Sequence, residues 1–107
     1  IHGPFLFGAT DKITRVLDRI NELPPVVIFR LRNMTAIDAT GMKALEEVAA
    51  RLRASGRTAL FCGALEQPRA ILRSSGFPER VGEENFCPHV DAALERARAV
   101  YEGGGVN

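Results

Sequence analysis

The chain has 107 residues, 46% hydrophobic and 25% charged, the composition of one globular domain rather than of a disordered or fibrous chain. Fourteen basic residues against thirteen acidic ones leave a net charge of +1, which argues against a strongly basic nucleic-acid binder and against an acidic tail. No apolar run approaches the roughly 18 residues that would span a bilayer, and no basic-then-apolar leader opens the chain. It starts at Ile1 rather than Met, so a segment of a longer protein is expected.

His2–Phe7 (HGPFLF) is apolar but interrupted by Gly3 and Pro4, as an edge strand is. Its phenylalanines read as core, and the segment lacks the glycine spacing and lysine of a phosphate loop. From Thr10 to Glu22 the apolar positions Ile13, Val16, Leu17 and Ile20 mark one face of an amphipathic helix. Thr10 or Asp11 can cap its start, and Pro24 and Pro25 forbid its continuation. Val26–Phe29 is an unbroken β-branched and aromatic run, the pattern of a strand buried on both faces. Arg30, Leu31 and Arg32 alternate as that strand emerges toward solvent.

After a short connection, Asn33–Ala36, a helix is predicted over Ala39–Ser55 with Leu45, Val48, Ala49 and Leu52 as its apolar stripe. Glu47 precedes Arg51 by four residues, the order that favours an ion pair, and Gly56 suits the left-handed stop. Thr58–Cys62 reads as another buried strand, ended by Gly63. Pro68 suits the first turn of a third helix running to about Ser75, with Gly76 as its stop. Phe77–Phe86 reads as irregular, with room for one short strand. Pro88 starts a fourth helix with the stripe Val90, Ala93, Leu94, Ala97 and Tyr101. Gly103–Asn107 is expected to be a disordered tail after a single domain over residues 1–102. This alternation predicts an α/β sandwich: a central, mostly parallel sheet of about four strands with about four helices, joined by right-handed crossovers.

The strongest candidate site is Asn33–Gly41 (NMTAIDATG), where a buried strand ends and a helix begins, the end of a parallel sheet where ligands and partners bind. Asp38 or Thr40 can serve simply as the helix cap. Thr40 can also accept a phosphate whose charge the helix N-terminus stabilises, or the exposed N–H groups there can receive an anion. No catalytic constellation emerges. His2 and His89 are far apart in sequence, with His89 read as a surface residue, and Glu83 and Glu84 are adjacent and read as solvated or helix-start charge. Arg51, Arg53 and Arg57 read as a solvated face at a helix end, with contact to anionic lipid or an acidic partner as the other reading. Cys62 and Cys87 lack metal-motif spacing; they read as buried thiols of a reducing compartment, with a disulfide as the alternative.

Val26–Arg32 (VVIFRLR) followed by Ile37-Asp38-Ala39-Thr40-Gly41 resembles the STAS domain, the module shared by sulfate transporters and anti-sigma-factor antagonists. Gly3–Ala9 (GPFLFGA) is similar to the opening of STAS domains at the C-terminus of SulP anion transporters, and Gly82–Phe86 and Asp91–Leu94 fit the same group. The resemblance spans His2–Tyr101. It implies about four strands flanked by helices on one side of the sheet, no catalysis and no cofactor. It also implies a regulatory or contact domain on the cytoplasmic face of the inner membrane, as part of an integral membrane protein. Its partners would be the transmembrane domain of the same chain, a second protomer or a cytosolic protein, with neither nucleic-acid binding nor membrane insertion by this segment. The contact loop would comprise Asn33, Thr35, Asp38, Ala39, Thr40 and Gly41, with Thr40 as switch, since Thr40 matches the residue phosphorylated in soluble antagonists. Two alternatives stand: a soluble anti-sigma-factor antagonist phosphorylated on Thr40, and a nucleotide-binding module.

Overall fold

The structure, a computed structural model, describes residues 5–8 and 13–104. Four strands, β1 (Phe5–Gly8), β2 (Val26–Arg30), β3 (Thr58–Cys62) and β4 (Phe86–Cys87), form one sheet in the order β1-β2-β3-β4. Every pairing is parallel, with Phe7 opposite Phe29, Phe29 opposite Phe61, and Cys62 opposite Cys87. Strands that are neighbours in both sequence and space need their crossovers wound on one face if all share a hand. Those crossovers are a 3₁₀ helix (Ile13–Glu22), α1 (Ala39–Ala54), and the pair α2 (Glu66–Ser74) and α3 (Phe77–Val81).

The inward side chains alternate accordingly. Val27, Phe29, Ala59 and Phe61 face the crossover helices, where they meet Leu45, Val48 and Leu52 of α1, Leu72 of α2 and Phe77 of α3. Val26, Ile28, Leu60 and Cys62 face the opposite way, onto Ala93 and Ala97 of α4 (Val90–Gly104). The expected burial of β2 on both faces is therefore met, with Val26–Phe29 all at zero exposure. The one-sided arrangement of helices implied by the resemblance is not: α4 closes the second face, because an all-parallel sheet of such apolar strands exposes neither side. On the first face the aromatic rings run in series. Phe29 stacks on Phe61 at 5.1 Å, and Phe77 meets Phe61 edge-on at 4.9 Å and Phe86 at 6.1 Å.

Three local expectations change. The first helix is 3₁₀ rather than α and breaks at Arg19, whose backbone (φ −121°, ψ 27°) is not helical. Long 3₁₀ runs are uncommon, but Leu17, Ile20 and Leu23 recur every three residues, a spacing that a three-residue turn lines up toward the core. Phe77–Phe86 is ordered rather than irregular, with α3, a 3₁₀ turn (Glu83–Asn85) and β4 packed in succession. Burial of Phe77 and Phe86 and the bond from Asn85 Nδ2 to the Val81 carbonyl, 2.6 Å, hold it. Finally, α4 continues through Gly103 and Gly104, into the segment expected to be a tail. The Gly3-Pro4 opening, the Thr10 or Asp11 cap, the side chains of Phe5 and Phe7, and the last three residues lie outside the described residues.

Other boundaries follow the chemistry. At the end of α1, Gly56 (φ +84°) donates to the Arg53 carbonyl and Arg57 to the Leu52 carbonyl. That paired closure requires a left-handed residue, which glycine adopts without strain. His89 is exposed and its Nδ1 accepts the Ala92 N–H at 3.2 Å, capping α4.

The Tyr101 hydroxyl is buried with no hydrogen-bond partner among the described residues. An unmet buried hydroxyl costs about 1–3 kcal/mol. Tyr101→Phe is therefore expected to raise stability by about 1 kcal/mol in urea unfolding, and a comparable loss would show that the hydroxyl is satisfied in solution.

Candidate functional site

The site begins where β2 runs out. Leu31 N–H still bonds the Cys62 carbonyl at 2.8 Å, and Met34 N–H then closes a turn onto the Leu31 carbonyl at 2.9 Å. Asn33 lies in that turn and Thr35 follows it, both exposed. Ile37 dips back into the core at 8% exposure, and its N–H is held by the Gln67 side chain at 3.0 Å. That bond ties the loop to the first turn of α2, so the approach to α1 is fixed from both sides.

Asp38 is the cap of α1. Its backbone is extended (φ −115°, ψ −175°) and its Oδ1 accepts the Gly41 N–H at 2.8 Å, while its carbonyl accepts the first helical bond, from Met42. An acidic cap also suits the positive end of the helix dipole. Gly41 fits the same geometry closely. A Cβ there would lie 3.2 Å from Ile37 Cγ1 and 3.4 Å from Asp38 Oδ1, so the absent side chain lets Ile37 fold over the turn while Asp38 reaches across it. The spacing of acid and glycine is thus a capping device. Ala39 and Thr40 lie between them, both exposed on the outer side of the first turn.

The structure therefore brings Asp38, Ala39, Thr40 and Gly41 into one helical turn. Asn33 and Thr35 stand on the preceding loop, and none of the described hydrogen bonds ties them to Asp38 or Thr40. Gln67 is the residue that sequence reasoning missed; only its place in the first turn of α2 marked it. What the turn offers chemically is an exposed hydroxyl, Thr40, beside a helix N-terminus that favours negative charge.

Of the arginine cluster, Arg51 and Arg53 are exposed as a solvated face is, and Arg57 departs from it. Arg51 does pair with Glu47 at 3.7 Å, but Arg57 is half-buried and staples the chain by donating to the Leu23 carbonyl at 3.0 Å and the Ser55 carbonyl at 3.3 Å. Arg53 reaches the Arg80 carbonyl at 3.5 Å and Arg80 pairs with Glu46 at 2.7 Å, along a groove of about 760 Å³ between α1 and α3. Glu83 and Glu84 are likewise engaged, with Arg73 at 3.0 Å and Arg96 at 3.6 Å. No group of three or more potential metal-ligating side chains occurs among the described residues, and no helix there is long and apolar enough to cross a membrane.

The family model of the STAS domain matches residues 1–93. The chain is similar to a putative sulfate transporter, YvdB, of Bacillus subtilis (strain 168), 23% identical over 92 residues. That match covers 85% of this chain but only 17% of the relative. Among solved structures, a sulfate transporter family protein from Wolinella succinogenes superposes with a TM-score of 0.85 at 34% identity, covering 95% of this chain and 90% of that one. The STAS domain of a SulP transporter from Vibrio cholerae superposes at 0.78 with 28% identity, covering 94% and 84%.

Removing the cap tests the local account. Asp38→Ala is expected to cost about 1 kcal/mol, within the 0.5–2 kcal/mol known for such caps, and Asp38→Asn much less. Urea unfolding of the two variants checks this, and equal losses would mean that the charge rather than the bond to Gly41 matters.

Proposed function

The chain belongs to the STAS domain family, in the branch represented by sulfate transporters, and on that premise we propose that it is the cytoplasmic regulatory and protein-contact domain of a SulP-type transporter of sulfate or a related anion. The observation that carries this reading is the coverage. This chain accounts for 17% of a putative sulfate transporter's length, so the remaining length leaves room for a membrane-embedded part. The domain itself is proposed to be non-catalytic, to need no cofactor, and to lie on the cytoplasmic face of the membrane.

Its working surface is proposed to be the loop and first turn around Asp38–Gly41, with Asn33 and Thr35 at the margin. Three features support that choice. The turn is exposed at Ala39 and Thr40. It is rigidly held by Asp38 and Gln67, so docking there loses little conformational entropy. It also tolerates negative charge through the helix dipole. The partners would be the transmembrane part of the same chain, a second protomer or a cytosolic regulator, and Thr40 would act as the switch that a phosphate sets.

Thr40→Asp places a charge near the positive end of α1 and is expected to leave the domain as stable or up to about 1 kcal/mol more so. In the full-length transporter it is expected to change anion uptake by cells, whereas Thr40→Ala keeps the unmodified behaviour. Uptake of labelled sulfate equal for all three proteins, at equal abundance in the membrane, would refute a switch at Thr40.

A further inference from the structure

We propose that Cys62 and Cys87 are a redox modification site, which a hydroperoxide converts to an intramolecular disulfide linking β3 to β4. The two residues are register partners on adjacent parallel strands. Such strands lie about 4.7–4.9 Å apart, inside the Cα···Cα range of roughly 4.4–6.8 Å that a disulfide spans. Both side chains belong to the cluster beneath α4, hence to one face of the sheet, and both thiols are free. Of the two strands, β4 can adjust more easily to the bond, being two residues long at the end of the sheet order.

The environment orders the chemistry. Burial raises the Cys62 thiol to about 11, with Cys87 beside it adding to the rise and Arg30 opposing it. Burial also raises Cys87, against the opposing charge of Arg96. Cys62 is 2% exposed and Cys87 8%. The Cys87 thiol donates to the Glu84 carbonyl at 3.5 Å. Although burial lowers the thiolate fraction of both, Cys87, the less buried, is the sulfur that the oxidant meets. It loses its proton and attacks one peroxide oxygen; the O–O bond breaks, and Cys87 becomes a sulfenic acid while an alcohol or water departs. Cys62 loses its proton and attacks the Cys87 sulfur; the S–S bond forms, the S–O bond breaks, and water leaves. The two electrons lost by the thiol pair reduce the peroxide, and an external thiol restores the dithiol.

The test treats the folded chain with hydrogen peroxide, alkylates free thiols under denaturing conditions and weighs the protein without reductant. The expected product is a monomer lighter by about 2 Da, refractory to alkylation, with a Cys62–Cys87 peptide pair that dithiothreitol separates. Cys62→Ser is expected to leave a sulfenic acid on Cys87 that dimedone captures, and Cys87→Ser to give no adduct on Cys62. Three results in the native sequence would overturn the proposal: two alkylatable thiols after treatment, sulfinic or sulfonic acid on either cysteine, or a covalent dimer. Circular dichroism of both variants keeps a folding defect separate from a chemical one.

Discussion

Four consecutive residues with no exposed surface, Val26–Phe29, set the terms for the rest of the molecule. Because successive strand side chains point to opposite faces, Val27 and Phe29 demand cover on one side and Val26 and Ile28 on the other. The sequential strand order sends the crossover helices to the first side. An element outside the crossovers has to seal the second, and α4 does so with a stripe of alanines, Ala93 and Ala97, packed with Leu60 and Cys62. Loss of α4 would expose a face as apolar as the one it leaves intact.

The candidate site is a consequence of the same constraint. The chain must leave the sealed strand, turn and start α1, and each orphaned backbone group on the way needs a partner. Gln67 takes the Ile37 N–H and Asp38 takes the Gly41 N–H, which leaves Thr40 exposed on a turn that is already paid for. Ahead of β4, an exposed ion pair between Arg73 and Glu83 and a half-buried one between Arg96 and Glu84 brace the 3₁₀ turn. Pairs of this kind contribute about 0–1 kcal/mol each, so they orient the closing segment more than they stabilise it. The Phe77 and Phe86 rings, buried and packed edge-on, carry that task.

Where pattern reading succeeded, the signal was local. The VVIF run marked a doubly buried strand, the Leu45-Val48-Leu52 stripe marked the buried face of α1, and Gly56 marked its end. Asp38 was legible as a candidate cap because short acidic side chains reach a backbone N–H two or three residues on. Where it fell short, the deciding partner was distant in sequence. Nothing near Ile37 announces Gln67, thirty residues later. Arg57 looks like one more surface cation until the Leu23 carbonyl is folded against it. Phe77–Phe86 lacks a clean period because three short elements share it, each held by contacts with β3, α2 or α4 rather than by its own propensity.

The sequence alone determined the α/β alternation, the strand at Val26–Phe29, the start and stop of α1, and the resemblance to STAS domains, since all of these rest on neighbours within a few residues and on hydrophobic period. Tertiary structure alone decided that α4 covers the second face of the sheet, the 3₁₀ form of the first helix, and the pairing of Cys62 with Cys87 across adjacent strands. Those depend on strand order and register, which are chosen by the simultaneous burial of faces from segments far apart along the chain, and no local pattern records that choice.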